Sequence, residues 1–198
     1  MDSSVYVRPN KPKRIEVKNR ERNFPRPTEI KKPEILSVDR STECHVTPAE
    51  TAGRMIDYLN LENGLSVLEP ECGTGNLIDA LTDSGYDLSI TAVERFIALY
   101  QASRVRFAEN KGIDFINECF LEFAENTNQR FDRIVMNPPF RQTKKHIEAA
   151  ISLLNNNGLL IALVPVTYQR EEIYEIEVLE RGIFSTANVL TKIIEYEF

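Results

Sequence analysis

Apolar positions along this chain recur at two intervals, and the two intervals alternate. Ala49, Ala52, Met55, Ile56 and Leu59 fall at helical spacing. Thr47-Pro48 just ahead predicts the helix start, with the threonine hydroxyl as N-cap and the proline in the first helical position. After the Asn63-Gly64 turn, residues 65–68 read as a short buried strand ending at Glu69-Pro70. A glycine-bearing loop, Glu71-Cys72-Gly73-Thr74-Gly75, leads into a helix from about Asn76 and Leu77. Residues 88–93 predict a second strand ending at Glu94, 95–109 a long helix, and 113–116 a third strand. A fourth, 131–136, ends in Asn137-Pro138-Pro139-Phe140. Ile147, Ala150, Ile151 and Leu154 predict another helix, which residues 155–158 end. Residues 159–164 are apolar on both faces, as a central parallel strand requires.

Strand and helix therefore alternate, which argues for an α/β parallel sheet covered on both faces. The tail differs. Residues 174–179 and 189–196 are strand-like, and 180–187 between them are too few for a helical crossover. They predict a closing antiparallel pair.

Composition narrows the class. The chain has 198 residues, 42% of them hydrophobic, enough for one domain's core without metals or disulfides. The longest apolar run, 159–166, contains Pro165 and is too short to cross a bilayer, so no membrane partner is expected. The first ten residues lack the apolar segment of a secretion signal. Cys44, Cys72 and Cys119 are scattered and odd in number, which fits a reducing, cytoplasmic setting. With only His45 and His146 beside them, no metal-ligand spacing arises and no metal is expected.

Charge divides the chain near residue 40. Residues 1–40 carry 11 Lys/Arg against 6 Asp/Glu and hold five of the ten prolines. Residues 41–198 carry 13 against 24. The first segment reads as a basic, Pro-rich arm, either a solubilising extension or a tail that gains nucleic-acid affinity by counterion release. The second reads as the folded domain.

Ligands of open α/β sheets bind at the carboxyl ends of the strands. The unusual residues lie there: Glu69, Gly73 and Gly75 after the first strand, Glu94 after the second, Cys119-Phe120 after the third, and Asn137 to Phe140 after the fourth. The glycines let backbone approach a ligand. No Gly-Lys-Ser/Thr follows, so the loop is no P-loop, and Leu77 and Ile78 stand where a dinucleotide site has its third glycine. Glu94, 21 residues after Gly73, can accept both hydroxyls of a ribose. The Asn137 amide oxygen and the Pro138 carbonyl can accept the two hydrogens of an exocyclic NH2. Phe140 offers a flat face for a base.

Val67 to Leu77, then Glu94, then Asn137-Pro138-Pro139-Phe140, in that order and spacing, resembles the class I S-adenosylmethionine-dependent methyltransferases. More narrowly, it is similar to the N6-adenine DNA type. The resemblance covers about Cys44 to Phe198. It implies a Rossmann-like, seven-stranded, mostly parallel sheet with an antiparallel C-terminal strand and helices on both faces.

S-adenosyl-L-methionine is the implied cofactor. By resemblance, Thr47 touches its methionine end, and Glu69, Pro70, Cys72, Gly73 and Gly75 wrap methionine and ribose as Asn76 and Leu77 begin the next helix. Glu94 is the ribose acid. Where the family has Asp-Phe beside the adenine, this chain has Cys119-Phe120, so the acidic contact is lost or passes to Glu118. Asn137, Pro138, Pro139 and Phe140 match the catalytic motif.

DNA is the expected partner, and RNA the alternative. Arg141, Lys144 and Lys145 are candidate phosphate contacts. Residues 167–173 leave no room for a dedicated DNA-reading domain, so target choice falls to the arm or to a partner subunit. Competing readings keep the fold and change the acceptor to an RNA base or a protein glutamine, or make the chain a non-catalytic subunit. His146 is expected on the surface, and Cys72 and Cys119 as small buried fillers.

Overall fold

The computed structural model describes residues 46–182 and 189–198. The arm, residues 1–40, and most of the segment between the last two strands lie outside the described residues.

The strands are β1 (Ser66–Glu69), β2 (Ser89–Val93), β3 (Ile113–Ile116), β4 (Phe131–Met136), β5 (Leu154–Pro165), β6 (Tyr174–Val178) and β7 (Thr191–Glu197). They form one sheet in the order β3-β2-β1-β4-β5-β7-β6. β1 to β5 pair in parallel, whereas β7 runs antiparallel to both β5 and β6. The expected architecture is therefore the observed one, closing hairpin included.

Successive residues on each strand feed opposite faces. Val67, Ala92, Val135 and Ile161 pack with Ala52, Met55 and Ile56 of α1 (Ala49–Asp57) and with Leu77, Ile78 and Leu81 of α2 (Asn76–Asp83). Their neighbours Leu68, Val93, Ile134 and Leu160 face the other way. That face receives the helices α4 (Phe120–Asn126) and α5 (Thr143–Ser152) through Phe120, Phe123, Ile147 and Ala150. This period-2 division places a helix layer on each side.

Four details depart from the sequence reading. Pro48 is the N-cap of α1, its carbonyl accepting the Ala52 amide at 2.8 Å, and the Thr47 hydroxyl caps nothing because it turns toward Asn137. The long helix is α3 (Ile97–Arg106), shorter than 95–109. Phe96 stays extended because its amide donates to the Glu94 carboxylate at 2.7 Å. Helix α4 fills the crossover between β3 and β4, where no helix was expected. Residues 155–158 do not end α5 but belong to β5, where an irregular register against β4 and Asn157 at φ 62° absorb the polar run. Leu154 accordingly starts β5 rather than lying on α5.

At the end of the sheet remote from the strand-end loops, the Asp132 carboxylate accepts hydrogen bonds from the Ser66 amide (2.9 Å), the Ser66 hydroxyl (2.6 Å) and the Asn155 amide group (2.8 Å). Burial raises its pKa, but these donors and Arg133 outweigh burial and hold it below the usual aspartate range.

Candidate active site

One pocket opens where the predicted strand ends converge. Its wall takes Thr47 from the segment before α1, Glu69, Pro70, Cys72 and Gly73 from the loop after β1, and Asn76 and Leu77 from the start of α2. Glu94 enters from β2, Cys119 and Phe120 from the start of α4, and Asn137 and Pro139 from the segment after β4. Three of the sequence-predicted site residues stand outside this lining: Gly75, Pro138 and Phe140. Gly75 is the N-cap of α2 at φ 86°, backed by the Phe107 ring. Phe140 opens a 3-10 turn (Phe140–Gln142) and is half-buried against the apolar cluster beneath α1 and α2.

The Glu71 to Gly75 loop is held from three sides. Glu94 is buried, and its Oε2 accepts the Gly73 amide at 2.8 Å, so the same carboxylate ties loop and β2 together. Burial raises its pKa, and the two amide donors oppose that rise. Arg106 at the end of α3 donates to the Thr74 carbonyl at 2.7 Å and pairs with Asp79. The Gly75 amide closes the turn on the Cys72 carbonyl at 2.7 Å. Positive φ at Gly73 (50°) and Gly75 (86°) is what bends the chain this tightly.

Thr47 joins the two halves of the site. Its hydroxyl accepts the Asn137 side-chain N–H at 3.1 Å, and its carbonyl accepts the Asn76 side-chain N–H at 2.7 Å. The nitrogen end of the Asn137 amide is thus turned to Thr47, which makes the oxygen its acceptor end. Neither hydrogen bond was visible in the sequence, where Thr47 read as a helix cap and, by resemblance, as a contact to the donor.

The structure overturns the surface placement of His146. It is 6% exposed, it lines the pocket, and its Nδ1 lies 2.9 Å from Glu71 Oε1. Its ring also tilts against Phe120, with centroids 5.9 Å apart. Glu118 is not part of the lining. Cys72 is buried and Cys119 half-buried, both on the pocket wall. Sequence reasoning also missed Arg95, Phe96, Leu121 and Gln142 as lining residues.

The donor set suits a cationic nucleoside. Glu69 is 1% exposed, and its Oε2 is buried without a hydrogen-bond partner among the described residues. Burial pushes its carboxyl well above the usual range, and Glu71 adds to the rise. An orphaned buried acceptor of this kind calls for a donor or cation from a ligand. Among the described residues no cluster fit to hold a metal occurs, and no helix is long and apolar enough to cross a membrane.

The chain matches the family described as "Methyltransferase small domain" over residues 51–196. It is 26% identical over 190 residues to a protein-L-isoaspartate O-methyltransferase of Helicobacter pylori, covering 94% of this chain and 87% of that one. A release factor glutamine methyltransferase of Streptococcus pneumoniae is 31% identical over 122 residues, 60% of this chain and 42% of its own. The modification methylase CviBIII of Paramecium bursaria Chlorella virus NC1A is 36% identical over 77 residues, 39% of this chain and 19% of its own. In three dimensions the 23S rRNA methyltransferase ErmE superimposes with a TM-score of 0.65 at 18% identity, over 77% of this chain and 68% of its own.

Proposed function

We propose that this chain, which belongs to the methyltransferase small-domain family and takes S-adenosyl-L-methionine as its methyl donor, methylates an exocyclic amino group, N6 of adenine in DNA. The observation that carries this reading is the Asn137 amide, on the pocket wall and oriented by Thr47. Its oxygen and the Pro138 carbonyl are both acceptors. An acceptor pair suits a planar NH2, whose two hydrogens it can take while the nitrogen lone pair turns to the donor. A carboxylate acceptor has no hydrogen to give and would meet two oxygens, which speaks against the O-methyl chemistry named for the Helicobacter relative.

When bound, S-adenosyl-L-methionine supplies an electrophilic methyl group, so the chain needs no nucleophile of its own. Its contribution is alignment and polarisation. Glu69 and the backbone of the Glu71 to Gly75 loop would hold the donor's methionine end, Glu94 its ribose, and Phe120 would pack beside its adenine. Asn137 draws charge onto the acceptor nitrogen. Phe140 stacks on a base taken out of its duplex. Arg141, Lys144 and Lys145, all exposed beside the catalytic segment, hold the flanking phosphates. The likeness of 77 residues to a modification methylase supports the DNA reading.

A second reading has one observation in its favour: the longer match to a release factor glutamine methyltransferase. A glutamine side chain also presents a planar NH2. Tritiated S-adenosyl-L-methionine offered with unmethylated duplex DNA, structured RNA and a glutamine-bearing release factor separates the acceptors. The DNA reading expects label in DNA, recovered as N6-methyladenine. Label in RNA alone or in the protein alone overturns it.

A further inference from the structure

Two buried carboxylate oxygens in the pocket, Glu69 Oε2 and Glu71 Oε2, have no hydrogen-bond partner among the described residues. Glu69 stands at the end of β1 in the place the family resemblance assigns to the methionine end. Glu71 has no such assignment. It sits two residues on, its other oxygen 2.9 Å from His146 Nδ1. His146 in turn belongs to α5, the helix that follows Asn137 to Phe140 directly. The pair therefore staples the donor loop to the catalytic segment, and both members line the pocket.

The methyl donor carries a positive sulfur, whereas the product left after transfer carries a neutral thioether. A carboxylate at the wall of a half-enclosed pocket acts on that difference, because charge interactions strengthen as water is excluded. We infer that Glu71, held in place by His146, is a further donor-recognition residue that favours the cationic methyl donor over the neutral-sulfur product. This rests on the donor assignment already made, and it makes Glu71 an aid to product release.

The groups facing Glu71 are Glu69 on its own loop, Glu94 and Arg95 after β2, and His146 on α5. Burial raises the Glu71 pKa, and His146 and Arg95 lower it again. Removing His146 therefore leaves Glu71 protonated over a wider range, and its charge returns only as the pH is raised.

Calorimetric titration of S-adenosyl-L-methionine and S-adenosyl-L-homocysteine into wild type, Glu71→Gln and His146→Leu tests this without turnover. The donor's affinity is expected to fall about tenfold in Glu71→Gln while the product's stays within about twofold. His146→Leu is expected to lose donor preference at a higher pH than wild type does and to regain it as pH rises, which Glu71→Gln does not. Equal weakening of both ligands, or no change in either, overturns the inference and reduces the pair to a loop staple. Failure of the wild type to bind either ligand overturns the donor assignment itself. Product binding by each variant also reports that its pocket is folded.

Discussion

Alanine at Gly75 strains the donor loop in two ways, and each can be sized from the structure. Gly75 sits at φ 86° and ψ 16°, in the left-handed region. An L-residue there costs about 1–2 kcal/mol. A Cβ would also stand 2.8 Å from Phe107 Cε2 and 3.2 Å from its Cζ. That ring is not free to retreat, being stacked on Phe115 at 6.0 Å and covered by Arg106 at 5.1 Å. Forcing such a shift costs about 1–3 kcal/mol, so Gly75→Ala should lose about 2–5 kcal/mol in all.

For a domain of this size that lowers Tm by about 4–20 °C. Two other glycines separate the terms. Gly64 has φ 87° with nothing within 4 Å, so Gly64→Ala should cost only the backbone share. Gly53 lies inside α1 with nothing within 4 Å and no positive φ, so Gly53→Ala should gain about 0.5–1 kcal/mol. Thermal unfolding followed by circular dichroism ranks the three, and donor titration should show weakened binding in Gly75→Ala alone. If Gly75→Ala lost no more stability than Gly64→Ala, the packing of Phe107 against the loop would be refuted.

Thr47→Val removes the acceptor of the 3.1 Å bond from Asn137 and keeps the side chain's shape. kcat should fall about tenfold, measured by steady-state kinetics at saturating donor. Asp132 holds its pKa below the ordinary value through Ser66 and Asn155, so its stabilisation is present above the unfolded-state pKa and is lost as pH falls through the folded one. Asp132→Asn should therefore be less stable than wild type at neutral pH, and the gap should close on acidification; a constant gap in Tm across an acid titration would contradict this.

Much of the frame was legible because parallel strands buried on both faces leave short apolar runs that few other elements produce. β4, whose last three residues are buried, was read to the residue for that reason, and β3 was read to the residue although it is the edge strand and none of its residues is fully buried. Helix α4 was not, since it has seven residues and Cys119 at its start makes no side-chain cap. The polar run 155–158 has the composition of a helix stop, yet the pairing of β5 with β4 overrides it.

Within the site, Glu94 and Asn137 were found because each stands at a strand end, in the order and spacing of the family motifs the chain resembles. His146 could not. Its neighbours Lys144, Lys145 and Glu148 are exposed and make the segment look solvated. Only the docking of α5 turns this one polar position toward Glu71. Thr47 was placed in the site by resemblance, but its hydrogen-bond partners were not, because they are 29 and 90 residues away and no local pattern announces them.

The central claim is that the Asn137 amide polarises and aligns the acceptor amine for methyl transfer while the donor is held elsewhere. Asn137→Ala in the full chain measures it most directly, with single-turnover transfer to duplex DNA read beside donor affinity from calorimetry. The account predicts a loss of transfer of at least about a hundredfold, with donor Kd within about threefold of wild type. Transfer that persists near the wild-type rate in Asn137→Ala would contradict it, and would place the chemistry on other residues or on another chain.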